Sequence, residues 1–152
     1  QNCYIAFSTT VPANLAAPTA LQVSAAIDLT DFIISLTASA QGNAVPTPRL
    51  RRLFETTIPG TSSASFSVEM YRDSATDTAW DLLPRDTAGV FYISRFGGTG
   101  ANKLPVATNK VEVWEGRVVS RAGSAMSSNT AQTFTLPCSV PNDPADGAIV
   151  AA

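Results

Sequence analysis

The chain has 152 residues, of which 45% are hydrophobic and 14% are charged, and its formal net charge is −2. A slightly acidic chain lacks the basic surface that DNA-neutralising proteins need, which argues against a DNA-binding role. The absence of histidine excludes a Ser-His-Asp or Cys-His catalytic site within one chain. The length favours one domain with a core of its own, so we expect a single domain over residues 1–152.

The low charge content allows two interpretations. Charged residues normally make up about 25% of a globular domain, and a lone soluble monomer uses them to stay dispersed. The shortage indicates either a surface covered by copies of the same chain, or an extracellular β-domain rich in Ser and Thr. No apolar run approaches the roughly 18 to 20 residues that cross a membrane, so we expect no membrane contact.

Alternation of polar and apolar residues dominates the chain and predicts a mainly β fold. One strand is interrupted, because Gly116 favours a bulge or bend there. The predicted strands are Asn2–Ser8, Phe32–Leu36, Ser65–Asp73, Gly89–Phe96, Lys110–Arg121 and Phe134–Val140.

A long exposed loop is predicted over residues 40–54, because the stretch contains Pro46 and Pro48 and each proline lacks an N–H and fixes φ. The following "TTIPGTSS" is interpreted as a turn. Loops of this length inside compact domains are usually functional or disordered. The loop carries the chain's densest charge, which is either a solvated patch or an ion-pairing arm for an acidic surface on a neighbouring subunit. These charges are Arg49, Arg51 and Arg52.

One short helix is predicted at about residues 77–83, within "SATDTAWDLLPRD". Asp77 or Thr78 is a suitable N-cap and Pro84 would end the helix. Trp80 would face the core together with the leucines that follow it. A helix of barely two turns must gain its stability from docking.

The last predicted strand, in "AMSSNTAQTFTLPCSV", has an apolar face that includes Phe134 and Leu136 and a face of small hydroxyls that includes Thr133 and Thr135. The C-terminal segment 141–152 is rich in Pro, Asp and Ala, and we expect it to be mobile unless a neighbour holds it. Cys3 and Cys138 would pair only if the terminal strands are neighbours, and two reduced thiols are favoured over a bridge.

No motif indicates catalysis or cofactor binding. The glycine-rich "GGTGANK" has neither the spacing nor the strand-to-helix context of a phosphate-binding loop, so a hairpin loop is expected. The acidic residues come singly or in turns, where solvated carboxylates are more common than a calcium site. We therefore expect no enzyme activity, no metal and no cofactor.

Four stretches, taken in order, resemble the major tail tube proteins of long-tailed, non-contractile bacteriophages, in particular those of phages that infect actinobacteria. The similarity rests on the "IPGT" segment before an alternating "SVEMYRD" strand, on "DTAW", and on "VEV", "GRV" and "NTAQTFT" near the end. The four stretches are "PTALQVSAAIDLTDFI", "FETTIPGTSSASFSVEMYRDSATDTAWDLL", "KVEVWEGRVVSRAGSAMSSNTAQTFTLPCSV" and the short Asp/Ala-rich end.

This resemblance implies a β-sandwich or barrel-like tail tube fold, and a structural virion protein located in the phage tail and assembled in the cytoplasm of the host bacterium. It implies homohexameric rings that stack into a hollow tube through which DNA passes without specific binding. The long loop at 40–54 and a C-terminal arm at 141–152 would join subunits. A tape measure protein would fill the channel before ejection, and a terminator protein would cap the tube.

The resemblance also gives roles to two groups of residues. Neutral hydroxyls and sparse acids suit a channel wall, because basic residues would bind the phosphates of passing DNA. The lumen candidates are Ser65, Ser67, Glu69, Glu112, Thr133 and Thr135; the alternative is that these faces form an outer surface. The candidates for contact between rings are Arg49, Arg51 and Arg52.

A second hypothesis is a secreted β-sandwich binding module, either immunoglobulin-like or carbohydrate-binding. It predicts a monomer, a Cys3–Cys138 bridge and an aromatic ligand patch. Trp80 and Trp114 would supply the aromatic rings, although both residues are also suited to a core.

Overall fold

A computed structural model describes residues 3–47, 56–73, 75–125, 128 and 130–152. Nine strands of the described part form one antiparallel sheet. They are β1 (Tyr4–Ser8), β2 (Ile27–Asp28), β3 (Ile33–Thr47), β4 (Thr56–Tyr71), β5 (Ala88–Ser94), β6 (Lys110–Val118), β7 (Ala122–Gly123), β8 (Thr133–Ser139) and β9 (Ala145–Ile149). The helices are α1 (Ala20–Ser24), α2 (Thr78–Leu82) and a 3₁₀ turn, Ala101–Lys103.

The strand order is β2-β1-β5-β6-β8-β4-β3, with β7 added to β8 and β9 added to β6. The sheet folds back on itself, because the main core combines side chains from both of its halves. Phe66 on β4 packs against Phe91 on β5 and Trp114 on β6, with ring centroids 4.7 and 5.6 Å apart. The result is the mainly β fold that the alternation predicted, in the sandwich-like form that the resemblance implied.

A second, smaller core lies on the other face of β1, β5 and β6. Tyr4 and Tyr92 point into it, and Val23 of α1 and Val150 near the C-terminus cover it. Strands covered on both faces carry nearly continuous apolar runs, since neither face meets water. This explains the unbroken apolar stretch of β5.

The C-terminal segment packs on its own subunit, contrary to the mobility expected for it. β9 pairs with β6, and Ala148 is 1% exposed. The Ala151 amide donates to the Pro18 carbonyl oxygen at 2.8 Å, and the Ala20 amide donates to the Ala151 carbonyl oxygen at 2.9 Å. Buried apolar side chains and backbone hydrogen bonds therefore fix residues that composition alone marked as a free tail.

The predicted long loop at 40–54 is wrong for residues 40–47, and the predicted turn over "TTIPGTSS" is also wrong. Both segments are strand, paired from Ala40↔Ala64 to Thr47↔Thr56. Pro46 and Pro59 are compatible with this pairing because the ribbon has only two strands there. Every second N–H of each strand points away from the partner strand, so a proline at such a position removes no hydrogen bond between the strands. The remaining part, 48–54, lies outside the described residues.

The predicted helix is confirmed as α2, with one difference at its start. Asp77 is the N-cap residue but its side chain makes no capping hydrogen bond; its carboxylate accepts instead from Arg72 Nε at 2.9 Å. α1 was not predicted, although Thr19 and Gln22 form a capping box there. The break predicted at Gly116 is wrong, because the β5–β6 ladder runs through Gly89↔Gly116.

Candidate functional site

One outer face of the β3–β4–β8 layer is covered with hydroxyl side chains, and we call it the hydroxyl face. Antiparallel pairing places Glu69 directly between Ser35 and Thr135, and Ser65 opposite Ser39. The Ser39 and Ser65 hydroxyls lie 2.9 Å apart, and Ser35 Oγ donates to Glu69 Oε2 at 3.2 Å. The face includes Ser35, Thr37, Ser39, Ser65, Ser67, Glu69, Thr133 and Thr135, together with Pro137 opposite Ser67 and Tyr71 opposite Thr133.

The structure thus brings together five of the six residues named as lumen candidates. Alternation fixes this arrangement, since the opposite face of the same strands is buried and includes Val68, Met70, Phe134 and Leu136. Within the hydroxyl face, Glu69 is the one charged side chain. The face therefore offers hydrogen-bonding groups but almost no charge.

Glu112 lies elsewhere. It belongs to β6, where it pairs in register with Ile93. Its carboxylate accepts from Arg95 Nε at 2.5 Å and Nη2 at 3.0 Å, and from Trp114 Nε1 at 3.3 Å. The hydrogen bonds between Arg95 and Glu112 raise the pKa of Arg95. Glu112 thus anchors an ion pair at the end of β5 and β6, and the structure does not join it to the hydroxyl face.

Sequence reasoning missed the β3 contribution to this face. Ser35, Thr37 and Ser39 alternate in "IISLTASA", and this alternation was the available signal. The segment was interpreted only as a short apolar strand because Phe32, Ile33 and Ile34 precede it. Their apolar character hid the hydroxyl periodicity that follows.

The far part of the β3–β4 pair projects from the body as a ribbon, which we call the hairpin arm (42–47 and 56–61). Within the described residues, β8 pairs with β4 only over Phe66–Tyr71. Six residues of strand extend about 20 Å, and the side chains of residues 42–47 and 57–61 are exposed or half-buried. The cross-strand pair Val45 and Ile58 is 46% and 53% exposed. The arm thus carries apolar surface that its own subunit does not cover.

A β-bulge marks the base of the hairpin arm. The register shifts between Gly42 and Ala44, so that β4 carries one extra residue there. A Cβ on Gly60 would lie 2.8 Å from the Asn43 carbonyl oxygen and 3.0 Å from Val45 Cγ2, so only glycine fits this close approach. Bulges bend a strand and increase its twist, and this one sets the direction in which the arm leaves the body.

The three candidate arginines, Arg49, Arg51 and Arg52, lie outside the described residues. In sequence they fall between the two strands of the hairpin arm. Among the described residues, no group of three or more carboxylate, thiol or imidazole side chains converges on a point that would hold a metal ion. No helix in the described part is long and apolar enough to cross a membrane.

Two features expected of a secreted binding module, a Cys3–Cys138 bridge and tryptophans free to stack on a ligand, are not found among the described residues. Cys3 and Cys138 are both free, and burial raises the pKa of the Cys138 thiol to about 12. Trp114 is 3% exposed and belongs to the main core. The guanidinium groups of Arg72 and Arg121 lie over the Trp80 ring, at 4.2 and 4.0 Å from its centroid. Neither tryptophan is therefore free to stack on a ligand.

Solved structures show where this kind of fold occurs. A chain in a structure described as "Virion of native gene transfer agent (GTA) particle" superposes with a TM-score of 0.57 at 14% identity, covering 99% of this chain and 96% of that one. A second, described as "Tail of empty GTA particle computed with helical refinement, C6 symmetry", gives 0.53 at 15% identity, covering 77% and 83%. A third, from the sixfold-symmetrised baseplate of the anti-feeding prophage, gives 0.51 at 12% identity, covering 93% and 88%.

These likenesses define a class, the β-rich fold found in phage-related tail particles. No curated protein sequence matches the chain significantly. The sequence profile of the family described as "Phage tail tube protein" matches residues 2–152. The chain therefore belongs to the phage tail tube protein family, and it is a structural protein of the virion tail.

Proposed function

We propose that this chain forms sixfold rings which stack into the hollow tail tube, and that DNA passes through the tube during ejection. The observation that carries the proposal is the open edge of β3. This strand has 15 residues, and within the described residues it pairs on one side only, with β4. A long open edge is a template for another strand, and closure around a ring removes it.

Sixfold symmetry is supported by the related assemblies. One structure that shares this fold was refined with C6 symmetry and another was sixfold symmetrised. Ring closure also accounts for the 14% charged residues, because much of a subunit's surface would be covered by copies of itself. The role is structural, and we propose that it involves no catalysis.

The hydroxyl face is proposed to line the lumen. Passing DNA would be retained by lysines and arginines, since each neutralised phosphate releases counterions and strengthens binding. The hydroxyl face carries none, and Glu69 would repel phosphate. Glu112, held in an ion pair with Arg95, is not part of this wall.

The hairpin arm is proposed to connect one ring to the next, with Arg49, Arg51 and Arg52 forming ion pairs to the neighbouring ring. A ribbon that extends about 20 Å beyond the body can reach a stacked subunit. Docking would also cover Val45 and Ile58 (46% and 53% exposed). A tape measure protein in the channel and a terminator protein at the end of the tube remain proposed partners.

Electron microscopy of the concentrated, purified protein tests this function. We expect rings or hollow tubes in negative stain, whereas monomers at every concentration would contradict the proposal. Reversing the charge of all three arginines (R49E, R51E and R52E) should leave a folded, soluble subunit that cannot form long tubes.

The matched control for this triple variant is R85E, because Arg85 is an exposed arginine (side chain 75% exposed) away from the hairpin arm. We expect the control to form tubes of normal length. Tubes of normal length from the triple variant would show that the arginines do not connect rings, even if the wild-type protein assembles.

A further inference from the structure

A surface groove beside α1 is lined mainly by apolar side chains. Its volume is about 440 Å³. Phe7, Leu21, Ala25, Ile27 and Leu82 supply its apolar lining, and Leu21 and Ile27 are 77% and 45% exposed. Exposed apolar concavities of this kind mark interaction sites. Membership of the tail tube family does not specify which group occupies this groove.

Phe96 is the most exposed large apolar side chain of the described residues, at 89%. It lies in the turn that follows β5, where the Gly97 amide donates to the Ser94 carbonyl oxygen at 3.2 Å and Gly97 has a φ of 70°. The Gly98 amide donates to the Lys103 carbonyl oxygen at 2.6 Å. An aromatic ring held out on a hydrogen-bonded turn is suited to fill a pocket on a partner, as buried aromatic anchors do in protein interfaces.

Phe96 and the groove lie at opposite ends of one strand pair. β1 and β5 are antiparallel, with Tyr4 beside Ser94 and Ser8 beside Val90. Phe96 follows the Ser94 end, whereas Ser8 itself lines the groove. Six residues of strand separate the two levels by about 20 Å, so that a subunit cannot place Phe96 in its own groove. A second copy can.

The charges around the two surfaces do not oppose such a contact. Near Phe96 lie Arg95 and Lys110, together with Glu112 and Asp146, and Lys103 belongs to the same loop. Because Arg95 and Glu112 neutralise each other as an ion pair, the lysines exceed the remaining acid by one charge. The groove lining contains no charged side chain, and Asp81 adjoins its residue Leu82 in sequence.

We propose that Phe96 of one subunit inserts into the groove of its neighbour within the same ring. The proposal deepens the proposed function and rests on it, because it assigns the two faces of the subunit contact. The two surfaces are different patches of the same chain. A contact of this kind is head-to-tail, and a head-to-tail contact closes into a ring when the rotation permits.

Two single variants remove the two halves of this contact. F96D places a charge on the inserted ring, and L21D places one in the groove. Both side chains are at least 77% exposed, so each variant should fold with an unchanged unfolding midpoint. Each alone should raise the concentration needed for ring assembly about 30-fold or more, the effect expected for loss of a hot spot. V119D, at a side chain that is 50% exposed outside the groove, is the matched control.

Mixing the two variants gives the sharper result. L21D retains Phe96 and F96D retains the groove, so one intact contact can form between them and no second one can follow. Sedimentation velocity should therefore show monomers for each variant alone, heterodimers for the equimolar mixture and rings for V119D.

Other outcomes overturn the proposal in distinguishable ways. Assembly of F96D at wild-type concentrations would exclude Phe96 as the occupant. If L21D alone blocks assembly, the groove receives another segment, such as the Val45–Ile58 pair of the hairpin arm. If the wild-type protein stays monomeric under all conditions, the ring function itself fails.

Discussion

Tyr92 is a buried tyrosine in the smaller core, and its hydroxyl finds no hydrogen-bond partner within the described part of the chain. A buried polar group without a partner costs about 1–3 kcal/mol. Y92F removes the hydroxyl and keeps the ring. We expect its free energy of unfolding to rise by about 1 kcal/mol at pH 7, measured by urea denaturation of the dilute monomer. A loss of stability in Y92F would show that the hydroxyl is satisfied.

The same residue predicts how stability changes at alkaline pH. Burial raises the pKa of Tyr92 from 10.0 to about 12, and burial together with the charge of Asp28 raises that of Tyr4 to about 12. Between pH 10 and pH 12 the unfolded chain has lost protons that the folded chain retains, so the free energy of unfolding falls as pH rises. The decrease should begin near pH 9, because burial also raises the pKa of Cys138 from 9.0 to about 12, and it should steepen above pH 10, where the two tyrosines contribute.

Urea midpoints at pH 8, 9, 10 and 11 test the alkaline effect. Y92F should show a shallower decrease than the wild type, because one of the two raised tyrosines no longer titrates. Y71F is the matched control, since it removes the hydroxyl of a tyrosine that is 44% exposed. Equal slopes in wild type and Y92F would contradict the assignment to Tyr92.

At the scale of elements, α2 is too short to be stable alone, and Trp80 holds it in place. The indole meets Phe134 edge-on at 5.1 Å and lies beneath the guanidinium groups of Arg72 and Arg121. Arg121 Nη1 also donates to the Trp80 carbonyl oxygen at 2.8 Å. W80A should lower the free energy of unfolding by about 3 kcal/mol, and W80F, which keeps a ring, should cost clearly less. A cost under about 0.5 kcal/mol for W80A would mean that α2 does not depend on this contact.

Alternation predicted the strands that have one buried and one exposed face, because in these strands apolar and polar residues must alternate. The β8 pattern of Phe134, Leu136 and Cys138 against Thr133 and Thr135 is the clearest example. The hairpin arm has no buried face, so its residues do not alternate between apolar and polar. Its prolines were therefore interpreted as signs of a loop. Only the pairing of β3 with β4 shows that the backbone is extended there.

At the scale of the whole molecule, the sequence predicted five members of the hydroxyl face but not their neighbours on β3. Glu112 was grouped with these residues although it lies on β6, because alternation reports only on which side of a strand a residue lies, and not which layer of a folded sheet contains the strand. Phe96 and the groove were missed for a related reason. Both lie in turns and at the ends of elements, where the sequence has no periodicity. Only the three-dimensional structure shows that Phe96 protrudes and that the groove is concave.

Whether the hydroxyl face lines the lumen can be decided by labelling at Ser65. In a C3S background, S65C offers one accessible thiol, since Cys138 is 8% exposed and its pKa of about 12 leaves almost no reactive thiolate. The monomer should react with both a small maleimide and a large polyethylene-glycol maleimide. In assembled tubes we expect reaction with the small reagent alone, because it can diffuse into an open channel and the large one cannot.

T135C provides a second thiol on the same face, two strands' width from β3, and should behave in the same way. Each outcome assigns the face to one location. Reaction of both reagents in tubes would place the hydroxyl face on the outside, and protection from both would bury it between subunits. Only the pattern of small-reagent access with large-reagent exclusion agrees with a neutral wall past which DNA moves without binding.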